Sequence, residues 1–127
     1  MFRKGQTVHL VRDWDRCGTV QITKAQVYSC GKKQMILTDA ATGEELGRHF
    51  YPRREQAAFG FCGAFILEDA PAAEIEAVAM QLATDVLSNE REHFARCLAG
   101  GHGEGYDAAI RKAQAELHEP RIFWRHT

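Results

Sequence analysis

Gly18-Thr19-Val20-Gln21-Ile22-Thr23 puts Val20 and Ile22 on one side of the chain and Thr19, Gln21 and Thr23 on the other. Successive side chains of a strand point to opposite faces, so this run predicts a half-buried strand. The run continues through Val27 and Tyr28, with a phase change near Lys24-Ala25 that predicts a bend or bulge. Upstream, residues 7–12 form a first strand with Val8 and Leu10 on one face. Between the two, Asp13-Trp14-Asp15-Arg16-Cys17-Gly18 supplies turn chemistry: carboxylates that cap turns and a glycine free to take positive φ. Downstream, Gly31-Lys32-Lys33 interrupts the pattern and residues 34–38 make a third strand. Thr42-Gly43 sits in a hairpin loop, and residues 45–51 make a fourth strand stopped by Pro52. Short strands at this spacing predict a small antiparallel sheet or an SH3-like barrel over residues 1–56.

Beyond this point the period changes. Residues 57–70 are an apolar connector or last strand, rich in aromatic and small side chains. Asp69 and Pro71 then signal a helix start. Ile75, Val78, Ala79, Leu82, Ala83, Val86 and Leu87 recur at helical spacing, and Gly100-Gly101 ends the pattern. Tyr106, Ile110, Ala113 and Leu117 form a second stripe, closed by Pro120. The loop between is short, which predicts an antiparallel two-helix hairpin over residues 71–118. The fold class is therefore α+β, in a single domain whose tail spans residues 119–127.

The formal charge of −1 hides an asymmetry. Residues 1–56 carry ten Lys or Arg against six Asp or Glu, and residues 57–127 carry six against eleven. No stretch approaches the roughly 18 apolar residues that span a membrane, and no apolar leader segment follows Met1, so neither membrane nor export is expected. Cys17, Cys30, Cys62 and Cys97 include no C-x-x-C pair, and reduced thiols in a cytoplasm are the default reading.

Lys4-Gly5-Gln6-Thr7-Val8-His9-Leu10-Val11-Arg12-Asp13-Trp14-Asp15-Arg16-Cys17-Gly18-Thr19-Val20, with Gly31-Lys32-Lys33-Gln34, resembles a group of small proteins encoded by phages and prophages. The resemblance covers roughly residues 4–38 and carries no catalytic motif. Cys30 departs from it, standing where an aromatic residue is expected. It implies a context: an accessory protein in a bacterial host cytoplasm.

Candidate sites follow from chemistry. Arg48, His49, Tyr51, Arg53 and Arg54, joined by Lys32 and Lys33, interleave cations with aromatic rings, as phosphates and stacked bases require. The alternative for these residues is a charged edge strand protected from pairing. Glu74, Glu76 and Asp85 belong to an acidic first helix that offers a partner surface, although acids near a helix start also favour its dipole. Trp124, with Ile122 and Phe123, either packs back on the sheet or anchors an interface. Glu90, His93 and Cys97 share a helical face with metal-ligand chemistry, but a second helix would have to complete the set. Cys62 lies among apolar neighbours that would raise its thiol pKa, and the Gly100–Gly105 segment has no lysine to make a phosphate loop. No cofactor and no catalytic set is expected. The expected function is a non-enzymatic accessory protein that binds a host protein, with inhibition of a host defence complex as one version. The alternative is a nucleic-acid-binding module using the basic, aromatic sheet edge. The stripe on the long helix is also compatible with a homodimer.

Overall fold

The structure is a computed structural model that describes residues 2–32, 34–50 and 64–126; the side chains of residues 48–50 lie outside the description. Alternation builds β1 (Thr7–Asp13) and β2 (Thr19–Cys30), followed by β3 (Gln34–Asp39) and β4 (Glu45–Phe50). The end of the apolar connector is a strand, β5 (Ala64–Glu68). Two helices follow, α1 (Ala72–Ala99) and α2 (Glu104–Glu116), and the tail forms a short strand, β6 (Arg121–Trp124).

The expected antiparallel sheet followed by a helical hairpin is present, but the barrel is not. The strands lie in the order β4-β3-β2-β1-β5 in an open sheet, so β4 and β5 stand at opposite ends of that path. The expected bulge at Lys24-Ala25 is also displaced. Pairing of β2 with β1 runs unbroken from Val20 to Gln26, and the irregularity falls between Val27 and Ser29, opposite β3. A continuous ladder through the middle of β2 removes the bend that would have wrapped the sheet.

The turn after β1 follows the sequence chemistry. The Asp13 carboxylate accepts from the amide of Arg16 at 3.1 Å, and Asp15 accepts from Cys17 at 2.9 Å and Thr19 at 3.0 Å. Gly18 has φ of 123°, and a Cβ there would lie 2.9 Å from the carbonyl oxygen of His118. Only glycine lets the segment leading into β6 come this close.

Each face of the sheet carries its own core. Val8, Leu10, Ala25, Val27, Met35, Leu37 and Ile66 cluster with Phe2 on one face. Val11, Val20 and Ile22 meet Ile75, Ala79, Leu82 and Ala83 of α1 on the other. The helix is continuous through Ser88-Asn89, and its buried residues all lie between Ile75 and Leu87. No residue of α2 is fully buried. Asp69 does not cap α1: the N-cap is Pro71, without a side-chain hydrogen bond. The tail packs back, with β6 parallel to β2 and with Ile122 and Trp124 against the α1 core.

Candidate functional site

β3 and β6 lie along the same side of β2. β3 pairs with Ala25 through Cys30, and β6 pairs with Thr19 through Ile22. They run in opposite directions, so their C-terminal ends converge beside Thr23 and Lys24. The amide of Ala40 donates to the Lys24 carbonyl at 3.0 Å, and that of Arg125 to the Ile22 carbonyl at 2.9 Å. This convergence creates one wall of a cleft of about 410 Å³.

Asp39 organises the wall. Its carboxylate is fully buried and accepts from the amides of Ala41 at 2.8 Å and Thr42 at 3.3 Å. An ionised carboxylate only accepts, so His126 Nε2, 2.7 Å away, is the donor. Arg125 Nε lies 3.6 Å from the same group, and its Nη2 reaches Glu44 at 3.2 Å. Burial alone would raise the Asp39 pKa, but the amide of Ala41, His126 and the amide of Thr42 outweigh it, and the pKa is lowered. His126 takes φ of 65°, a left-handed conformation uncommon outside glycine, and its bond to Asp39 helps hold it.

The floor comes from strand register. Thr7 faces Gln26 and His9 faces Lys24, on the face that α1 covers further along. Because α1 begins only at Ala72, these four side chains line the cleft instead of a core. The His9 ring meets Trp124 edge-on, with centroids 5.9 Å apart and planes at 82°. Trp124 Nε1 donates to Glu76 at 2.7 Å, which ties the cleft to the first turns of α1. The His9 side chain is only 7% exposed, and its Nδ1, 3.6 Å from Asp69 Oδ1, is buried without a hydrogen bond. Burial lowers the His9 pKa below its usual 6.5; the Asp69 charge opposes the shift and the Lys24 charge adds to it. His9 is thus a neutral imidazole at neutral pH. Lys24 is exposed and has no carboxylate partner among the described residues. The cleft therefore offers an exposed ammonium, a neutral ring donor or acceptor, an indole edge, and the polar ends of Thr7 and Gln26.

The residues expected from sequence are dispersed. Trp124 and Glu76 join at the cleft, and Glu74 is exposed nearby in the first turn of α1. Asp85 accepts from Gln81 one turn earlier at 2.9 Å. Lys32 is exposed in the turn before β3. Arg48 and His49 lie on β4 at the sheet edge, while Lys33, Tyr51, Arg53, Arg54 and Cys62 lie outside the described residues. Glu90 is drawn to Arg16 at 3.3 Å, away from a ligand role, while Cys97 Sγ approaches His93 Nε2 at 3.7 Å. Among the described residues, no three His, Cys, Asp or Glu side chains gather as a metal site. Sequence reading missed His9, Lys24, Asp39, Arg125 and His126. The one available signal was His9, a polar residue between apolar Val8 and Leu10 but on the opposite strand phase.

Compared with protein-family models, curated proteins and solved structures, the chain matches none.

Proposed function

We propose that this chain is a non-enzymatic binding protein that engages a protein partner through the cleft beside Trp124. The observation that carries the reading is the exposed Lys24 ammonium, without a carboxylate partner among the described residues, set next to the buried His9 and the Trp124 ring in one preformed concavity. Such a combination recognises an acidic side chain or terminal carboxylate, with the ring edges packing on its apolar stem. Asp39, Arg125 and His126 hold the wall rigid, which reduces the ordering cost of binding. The resemblance of residues 4–38 to phage-encoded proteins supplies the setting, with a host protein as the partner and a host defence complex as one form of it.

The test is affinity capture from bacterial host lysate with the full chain as bait. A partner retained by the native protein is expected to be lost with Lys24→Glu. Retention of the same proteins by Lys24→Glu, in a variant with an unchanged melting curve, overturns the assignment to the cleft.

A further inference from the structure

On the face opposite α1, near β6, register assembles a second surface. Arg12, Gln21 and Phe123 lie side by side across β1, β2 and β6. Trp14, just past β1, donates its amide to the Thr19 carbonyl at 2.9 Å, and Thr19 faces Arg121, so these three make the next row. Trp14 is 60% exposed and Phe123 55%, which is unusual for side chains of this size on a sheet with two cores. The Arg12 guanidinium lies 5.9 Å from the centroid of the Trp14 ring and donates to Gln21 at 3.3 Å. Arg121 is exposed and has no carboxylate partner among the described residues. None of the six residues is acidic.

From this arrangement we propose that the surface binds single-stranded nucleic acid, with bases stacked on Trp14 and Phe123 and phosphates met by Arg121 and Arg12. Two features favour this occupant over a protein. The balance of charge is positive: against Arg12 and Arg121 stands one carboxylate, Asp15, which accepts from the Thr19 amide at 3.0 Å and lies 3.4 Å from His118 Nε2, and the remaining positive charge complements a phosphate backbone. Between the rings lie Gln21, which is buried, and Thr19, which is half-buried, so the exposed apolar surface of the two rows is that of the rings, and no aliphatic side chain among these residues builds the dry centre of a protein interface. Flat ring faces separated by polar groups suit stacked bases, which contribute through their π faces irrespective of sequence. This surface uses none of the residues 48–54 and lies on the other side of the sheet from the cleft.

The experiment titrates a fluorescein-labelled oligo(dT) of about 12 nucleotides with the full chain at low salt, following anisotropy and tryptophan emission. Binding is expected, with quenched emission, and with a log-affinity slope near −1.4 against log salt, about −0.7 for each of two phosphates. Trp14→Ala and Phe123→Ala are each expected to weaken binding about tenfold. Phe123→Leu, which keeps an apolar strand residue but removes the ring, is expected to do the same and guards against loss of β6. The pair Arg111→Ala with Lys112→Ala on α2 is expected to leave binding unchanged. The proposal is overturned by absence of binding at low salt, by equal loss in the α2 pair, or by affinity unchanged in both Phe123→Leu and Trp14→Ala. Displacement by polyglutamate as effective as by unlabelled oligo(dT) also overturns it, since the surface would then be selecting charge alone or an acidic protein.

Discussion

Asp39 shows how one buried carboxylate serves both fold and site. It ends β3, receives the turn amides of Ala41 and Thr42, and holds His126 and Arg125 across the gap to the tail. Asp39→Ala leaves these donors without their acceptor, and we expect a loss of about 3 kcal/mol in urea unfolding with an unchanged m-value. Asp15 plays the matching part at the other end of β6, where it meets His118 Nε2 at 3.4 Å. Burial pushes its carboxyl up, but the amide of Cys17, the hydroxyl and amide of Thr19, and His118 bring it down to about 2. An unfolded aspartate titrates near 3.9, so the unfolded chain binds the proton first as the solution is acidified. The stability that Asp15 contributes is therefore complete above about pH 4 and is lost as the pH falls toward 2. Melting temperatures measured across that window are expected to fall less steeply for Asp15→Asn than for the native chain.

At the scale of elements, the two helices differ in what holds them. α1 buries Ile75, Ala79, Leu82, Ala83 and Leu87, while α2 buries none of its residues fully. Leu82→Ala is expected to cost about 2–5 kcal/mol, the range for a filled core site that cannot collapse. Ile110→Ala on α2, which is half-buried, is expected to cost less than about 1 kcal/mol, because part of its surface already meets water. Amide hydrogen exchange checks the same contrast, with α2 expected to exchange before residues 75–87 of α1. β6 has only four residues, yet it is bound along β2, covered by α1 through Ile122 and Trp124, and tied at both ends by a histidine–aspartate contact. Those ties explain why a short parallel strand from the tail holds its place in the sheet.

For the whole molecule, β1, β2, α1 and β6 share one core although they come from both ends of the chain. Tryptophan emission of a Trp14→Phe variant, which leaves Trp124 against that core as the one emitting indole, and far-ultraviolet circular dichroism are expected to give coincident unfolding midpoints; separated midpoints would mean that the helices melt apart from the sheet. The strands of residues 7–50 and both helices were legible in the sequence because each rests on a local period: two for Val8, Leu10, Val20 and Ile22, and 3.6 for Ile75 through Leu87. Turn chemistry was legible for the same reason, as the Asp13 and Asp15 carboxylates accept from amides two to four residues further on. The open form of the sheet was not, since closure depends on how strand ends meet and on where the bulge falls, and both are pairing properties of distant segments. The cleft was illegible as well. His9, Lys24, Asp39, Trp124 and His126 span most of the chain, and none belongs to a short motif. What the sequence by itself determined was which segments are strands and helices and which of their faces are apolar. Tertiary structure alone decided that the tail returns beside β2, because hydrogen bonds and ion pairs between segments about a hundred residues apart leave no periodic trace along the chain.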